Sequence, residues 1–261
     1  MRVLITGASD GIGGAAAIRI AEAAGQAGGT ARMVLSTSGR KPAPQAVLDR
    51  LAELGAEVHF LPADLTDVDA CRALARQTLA LLGGLDCFVS NAGALGGAPL
   101  KDIAPEKWDF LFDVNVRPTL VIAQELHGAL AESRGSIVAT SSMTGEMPMP
   151  GAGAYSPAKA ALSMLIRQMA QEWGPEGIRA NAVAPGMIRT GLTEAAYSND
   201  DTHSARAALV PLRRIGTADD MGAIIAFLAG PQSAYVTGQI IVADGGVTDA
   251  MLGLIPAPPK K

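Results

Sequence analysis

Val3-Leu4-Ile5-Thr6-Gly7-Ala8-Ser9-Asp10-Gly11-Ile12-Gly13 is a short, branched apolar run that enters a glycine turn. Alanines and isoleucines then recur from Gly13 to about Ala24, a pattern suited to a helix packed closely on a sheet. Glycine permits a tight turn and a close backbone approach, and the start of the helix offers unpaired N–H groups to an anion. The spacing is G-x-x-x-G-x-G rather than the shorter G-x-G-x-x-G, and by itself it also fits a merely structural turn. Its place between a first strand and a first helix points to a dinucleotide phosphate.

The same alternation continues along the chain. Strands are expected at Met33–Thr37, Val58–Pro62, Asp86–Ser90, within Gly135–Ser141, at Ile178–Val183 and at Gly238–Val242. Helices are expected at Pro44–Leu54, from a Thr66-x-x-Asp69 capping box to Leu82, from Pro105 to about Ala131, from Tyr155 to about Trp173, and after a Thr217-x-x-Asp220 box. Strands joined by helical crossovers require a parallel sheet covered on both faces. About seven strands extend a doubly wound six-stranded core by one. The expectation is one α/β domain over residues 1–250, followed by a tail at 251–261.

Composition excludes several classes. Apolar residues form 49% of the 261, and the formal charge is −4. A mean hydropathy of +0.25 disfavours disorder, and a pI near 5.4 without a basic cluster disfavours a nucleic-acid surface. Apolar runs such as Ile224–Ala229 and Gln239–Ala243 are too short to span a bilayer. No charged and apolar leader precedes the first strand, and Cys71 and Cys87 read as reduced thiols, so a cytoplasmic protein is expected. His59, His127 and His203 lack ligand spacing, and no metal is expected.

Ligands of such sheets bind beyond the carboxyl ends of the strands. There the sequence places the glycine loop, Asn91-Ala92-Gly93, Ser142 and Pro185-Gly186. Asp64 and Leu65 close strand three, where Asp64 is placed to accept from an adenine amino group and to cap the following turn, two compatible roles of which the second can stand alone. The end of strand two decides between a ribose hydroxyl, which favours an acidic partner, and a 2′-phosphate, which favours cations and hydroxyls. It reads Leu35-Ser36-Thr37-Ser38-Gly39-Arg40-Lys41, with no Asp or Glu between Glu22 and Asp49. Thr37, Ser38, Arg40 and Lys41 suit a phosphate, Asp10 opposes one, and the balance favours NADP(H) over NAD(H).

Tyr155 and Lys159 share one helix face at i,i+4 spacing. A phenol beside an ammonium group can pass a proton to or from an alkoxide, because the cation stabilises the phenolate. Ser142 is placed to hold the substrate oxygen, although Ser141 beside it is a rival. Asn115 sits inside the long expected helix, where an amide flanked by valines either kinks the helix and anchors a water from Lys159 or satisfies local backbone. A serine hydrolase is disfavoured, for there is no G-x-S-x-G elbow.

These motifs together resemble the classical short-chain dehydrogenase/reductase family, over nearly all of residues 2–248. The likeness rests on Thr6 to Gly13, Asn91-Ala92-Gly93, Asn115, Ser142, Tyr155-Ser156-Pro157-Ala158-Lys159, and Pro185-Gly186 with Thr190. It implies a Rossmann-type fold, a catalytic tetrad of Asn115, Ser142, Tyr155 and Lys159, and nicotinamide contacts from Ile188 and Thr190. It also implies a homotetramer, or a dimer, built partly through the helices carrying Asn115 and Tyr155. Ser90 replaces the first asparagine of the usual N-N-A-G, and Gly25 to Thr30 lengthens the approach to strand two.

Residues 186–211 carry no long regular pattern beyond a short helix after Thr190, and read as a lid. Met143, Met147, Met149, Met187, Leu192 and Tyr197 offer an apolar pocket, and Glu146 either meets a polar end of the substrate or faces water. The expected reaction is hydride transfer between a nicotinamide and a secondary alcohol or ketone with an apolar body. The alternatives are a nicotinamide-dependent epimerase or dehydratase, and a dinucleotide-binding regulator without turnover.

Overall fold

Strand and helix alternate from the first residues of the computed structural model, which describes residues 1–40 and 43–250. Lys41 and the 251–261 tail lie outside the described residues. In chain order the elements are β1 (Arg2–Thr6), α1 (Ile12–Gln26), β2 (Arg32–Ser36), α2 (Gln45–Glu53), β3 (Glu57–Phe60), α3 (Val68–Leu82) and β4 (Cys87–Ser90). There follow α4 (Pro105–Asn115), α5 (Arg117–Ser133), β5 (Ser136–Thr140), α6 (Met143–Glu146), α7 (Tyr155–Trp173) and β6 (Arg179–Pro185). The last are β7 (Ile188–Arg189), α8 (Asp200–Leu209), β8 (Gly216–Thr217), α9 (Ala218–Ala229) and β9 (Ile240–Ala243).

The main sheet has seven strands in the order β3-β2-β1-β4-β5-β6-β9. All its pairs are parallel, with Ile5 beside Leu35 on one side and Val89 on the other. The chain winds outward from β1 to β3 and returns to β4 across β1. The switch in strand order therefore falls between β1 and β4, where ligands bind in this architecture. Strand periodicity sends alternate side chains to opposite faces. Leu4, Val34, Phe88 and Ile137 pack with α3, α5 and α7, whereas Val3, Ile5, Met33 and Val89 pack with α1, α2 and α9. Both faces are buried, which is why these strands are apolar at successive positions.

Cys71 and Cys87 are free and buried. Burial pushes the Cys71 thiol up to about 11 and the Cys87 thiol up to about 12, so both are inert. Among the described residues, no helix is long and apolar enough to cross a membrane, and no group of His, Cys, Asp and Glu could hold a metal ion.

The local expectations need four corrections. The helix after β3 is capped by Asp67, whose carboxylate accepts from the N–H groups of Asp69 and Ala70. Thr66 turns back instead, and its N–H and hydroxyl both donate to Asp64 Oδ1. The helix expected from Pro105 to Ala131 is two helices, broken at Val116. Pro118 has no N–H to continue the ladder, and Asn115 Nδ2 takes the Leu111 carbonyl at 2.9 Å. β3 stops at Phe60, so Asp64 and Leu65 lie in the loop beyond it. Finally, the 186–211 segment contains the ten-residue α8, capped by Asn199, which accepts from Thr202 N–H. None of its residues is buried, so it lacks the apolar stripe that reveals a helix in sequence.

Candidate active site

The glycine loop after β1 meets the loop after β4. Gly7 adopts φ +64°, and a Cβ there would lie 2.7 Å from Ala92 Cα. A Cβ on Gly13 would lie 2.6 Å from Asn91 Nδ2. Asn91 fastens this junction, with Nδ2 donating to the carbonyls of Thr6 at 3.3 Å and Gly7 at 2.9 Å. Its Oδ1 accepts from Thr140 Oγ1 at 3.0 Å. Thr6 Oγ1 in turn accepts from the N–H groups of Asn91 and Ala92. One asparagine thus binds the ends of β1, β4 and β5 together. The turn survives with Ser90 at its head, where Ser90 is hydrogen-bonded to Thr119 at 2.7 Å.

This loop fits a dinucleotide. The first turn of α1 has neither a side-chain cap nor an acidic residue, which leaves the N–H groups near Gly11, Ile12 and Gly13 available to an anion. A Cβ on Gly11 would meet nothing nearer than Thr190 Cβ at 3.7 Å. The gap between the glycine loop and the start of the 186–211 segment is therefore open. Gly14 presses its α-carbon against the Ser9 carbonyl, a close approach absent from the sequence reading. Asp10 is exposed and lies across from Gly191, with a carboxylate oxygen 3.5 Å from where a Cβ of Gly191 would be.

Beyond β2, Thr37 is half-buried, while Ser38 and Arg40 are exposed. Arg40 lies 3.8 Å from Asp64, whose carboxyl the Thr66 hydroxyl and N–H hold below the usual range, with Arg40 adding to the effect. Asp64 therefore caps its own turn as one of its two readings had it. Leu65 is buried in the core.

The four residues at the heart of the sequence reading converge at the ends of β4 and β5. Lys159 is 4% exposed, and its Nζ donates to the Thr140 carbonyl at 2.8 Å. It stands 5.8 Å from the centre of the Tyr155 ring. Asn115 is 2% exposed and bonds Ala94 twice, donating to its carbonyl at 3.1 Å and accepting from its N–H at 3.3 Å. Ser142 caps α6, and its hydroxyl lies close enough to the Tyr155 phenol to oppose the effect of burial on it. Ser141 is withdrawn, donating to the Lys159 carbonyl and bonded to Ser163 at 2.9 Å. Between the two serines, Ser142 is the one facing the phenol.

Burial acts on both members of the pair. Burial raises the Tyr155 pKa, and the Ser142 hydrogen bond opposes that rise. Lys159 is itself pulled down to about 8 by burial and directs its proton at Thr140 rather than at the phenol. The ammonium stands close to the ring, and the serine hydroxyl acts in the same sense, favouring the phenolate. Thr140 was missed by the sequence reading. It is a polar residue ending a wholly buried strand, and its carbonyl and its hydroxyl each hold a partner.

Other candidates fall in two groups. Pro185 ends β6, and Gly186 follows so close to the last strand that a Cβ there would lie 2.5 Å from Asp244 Cα. Thr190 N–H donates to Thr193 Oγ1 at 3.0 Å, while the Ile188 side chain is buried in the core. Met147, Met149 and Leu192 are exposed, but Tyr197 is packed within its own segment against His203 and Arg206. Glu146 is exposed, and its carboxylate accepts from Ser163 Oγ at 2.9 Å and lies 3.8 Å from Arg167.

Comparison with known proteins places this arrangement in a family. The model of a family described as enoyl-(acyl carrier protein) reductase matches residues 7–248. The glucose 1-dehydrogenase of Gluconobacter oxydans is 34% identical over 251 residues, covering 95% of this chain and 91% of that protein. A solved gluconate 5-dehydrogenase from Burkholderia cenocepacia, in complex with NADP and tartrate, is 30% identical with a TM-score of 0.85, covering 95% of each chain. A solved 7α-hydroxysteroid dehydrogenase, complexed with NADH and 7-oxo glycochenodeoxycholic acid, is 31% identical with a TM-score of 0.85. It covers 94% of this chain and 92% of its own.

Proposed function

The chain belongs to the classical short-chain dehydrogenase/reductase family, and on that premise we propose a division of labour within its site and a class of substrate. It is an NAD(P)-dependent oxidoreductase that transfers hydride between the nicotinamide and a secondary alcohol or ketone. Relatives named as dehydrogenases and reductases favour net oxidation or reduction over epimerisation, dehydration or regulation without turnover.

Tyr155 passes the proton at the substrate oxygen, and Ser142 donates a hydrogen bond to that oxygen as charge develops on it. Lys159 tethers the edge of β5 and offers its ammonium to the ribose hydroxyls of the cofactor. Asn115 holds the loop after Asn91-Ala92-Gly93 in place. The nicotinamide supplies the hydride donor or acceptor when bound. Gly7, Ser9, Gly11, Ile12 and Gly13 hold the diphosphate, Asp64 and Leu65 border the adenine, and Pro185, Gly186, Ile188 and Thr190 border the nicotinamide. Thr37, Ser38 and Arg40 favour NADP(H) over NAD(H), against the charge of Asp10. Residues 1–250 act as one unit, with 186–211 closing over the substrate.

The observation that carries the substrate class is the distribution of exposed apolar side chains. Leu95 and Leu100 follow β4, Met147 and Met149 follow β5, and Leu192, Leu209 and Leu212 follow β6. These loops all spring from the carboxyl edge of the sheet, and large apolar groups exposed together mark a binding surface. The substrate is an alcohol or ketone with an apolar body, and the steroid held by the 7α-hydroxysteroid dehydrogenase has that character. We also infer a cytoplasmic homotetramer, or a dimer, that uses the α4, α5 and α7 helices. The test of the substrate reading is an absorbance screen of secondary alcohols and ketones with both NAD(H) and NADP(H). Bulky apolar substrates should turn over best; turnover of small charged substrates alone would overturn the reading.

A further inference from the structure

The Ser142 hydroxyl oxygen accepts two hydrogen bonds from a single residue. Thr144 donates to it through its N–H at 3.2 Å and through Oγ1 at 3.0 Å. A serine hydroxyl has two acceptor positions and one proton. With both acceptor positions filled, the only role left to Ser142 is to donate. Its proton then has the phenol oxygen of Tyr155, or a substrate oxygen beside it, as its target. Ser142 and Thr144 are each 8% exposed, so the arrangement is sheltered within the protein.

We propose that Thr144 is a positioning residue that fixes Ser142 as a hydrogen-bond donor toward the substrate oxygen. The inference rests on the role given to Ser142 above and explains how that role is enforced. A ketone oxygen and an alkoxide can only accept, so a serine free to turn its lone pairs toward them would spend part of its time in a repulsive orientation. The backbone N–H of Thr144 fills one acceptor position whatever residue stands there. The second is filled only by a side chain carrying a hydroxyl.

The turn that carries both residues is clamped to the Tyr155 helix. Gly145 lies so close to α7 that a Cβ would be 2.8 Å from the Lys159 carbonyl carbon. The attachment continues at both ends of this turn, where Ser141 Oγ donates to the Lys159 carbonyl and Glu146 accepts from Ser163 Oγ of α7. The donor atoms of Thr144 are therefore held in fixed relation to Tyr155 and Lys159, as orientation of a hydroxyl within a fraction of an ångström demands.

The experiment compares T144V, T144A, T144S and S142A in the full chain, using the most efficient alcohol of the substrate screen. T144V and T144A should each lower kcat about tenfold, below the hundredfold or greater loss expected when an oriented donor is removed outright. KM for alcohol and cofactor should stay within about twofold, because the interaction matters most when charge develops on the oxygen. T144S, which keeps the hydroxyl, should retain wild-type kcat. A T144V or T144A protein with wild-type kcat, or a T144S protein as impaired as T144V, would overturn the proposal. S142A separates the two levels: impairment of S142A with T144V intact removes only the inference, whereas an unimpaired S142A removes the role of Ser142 itself.

Discussion

Asn115 pairs with Ala94 as one strand pairs with another, its side-chain amide donating to the Ala94 carbonyl and accepting from the Ala94 N–H. A third bond, to the Leu111 carbonyl, ties the same amide to its own helix. The break between α4 and α5 is thus filled by a side chain that acts as backbone. Its removal leaves the partly buried main-chain groups of Ala94, and the buried Leu111 carbonyl, without these partners. N115A should cost about 2–4 kcal/mol and lower the midpoint of thermal unfolding by several degrees, measured by calorimetry. The loop after Gly93 should loosen with it, so that cofactor KM rises as well.

A second expectation concerns the acidity of Tyr155. Ser142 is the neighbour that opposes the effect of burial on this phenol, by donating to its oxygen. Loss of that donor destabilises the phenolate, so the pKa rises and a given fraction of phenolate is reached only at higher pH. The rate of alcohol oxidation should climb with pH, and in S142A the climb should shift upward. Lys159, held near 8, titrates in the same region, so the limb reports the pair rather than either residue alone. Y155F should reduce kcat by about a thousandfold or more while binding cofactor normally, as read by quenching of protein fluorescence.

Lys159 also leaves a mark on stability. Its pKa is about 8 in the folded chain, against 10.5 for the free side chain, and burial is the cause. Between those values the unfolded chain binds more protons than the folded one, so this residue makes the fold more stable as pH rises through that window. Below about 8 both states are protonated and the folded state carries the full penalty of a buried ammonium. The stability of wild type relative to K159M should accordingly increase from pH 8 to 10.5, measured by urea unfolding at each pH. Activity of K159M should be lost by at least about a hundredfold throughout.

Cofactor choice can be read at two positions. Arg40 beyond β2 is exposed and only loosely paired with Asp64, at 3.8 Å. R40A should raise KM for NADP(H) about tenfold and leave NAD(H) nearly unchanged. D10N should act in the opposite sense, improving NADP(H) by removing a like charge near the phosphates. Steady-state kinetics with both cofactors decides the matter. A wild-type preference for NAD(H) of tenfold or more in catalytic efficiency would overturn the assignment.

Much of the architecture was legible because its signals are local and repeated. Apolar runs ended by glycine or asparagine mark β1 and β4, and Thr217 with Asp220 forms the capping box that its spacing announced. Helix α8 was harder, since its ten residues bury no apolar face and only Asn199 and the acidic first turn betray it. The kink that Asn115 suggested is a full interruption at Val116, and Pro118, just beyond, was the plainer signal of it. At the site, side-chain identities singled out Asn115, Ser142, Tyr155 and Lys159 as candidates, but hydrogen-bond direction and partnership are properties of three-dimensional placement. That is why Glu146 proved to be bound to Ser163, and why the contact from Lys159 to a carbonyl had no trace in residue type.

Thr140 gives that last point a practical side. Its hydroxyl reaches Asn91 and the glycine-loop half of the molecule, while its carbonyl holds Lys159 and the proton-transfer half. A substitution alters the first link and leaves the second intact, because every amino acid brings the same carbonyl. On the proposed assignment of the site, residue 140 is a dial for one half alone: substitution there should change cofactor affinity and leave the Lys159 contact in place. By the same token, a neutral-looking swap at this position in a relative can signal a changed cofactor demand under an unchanged reaction.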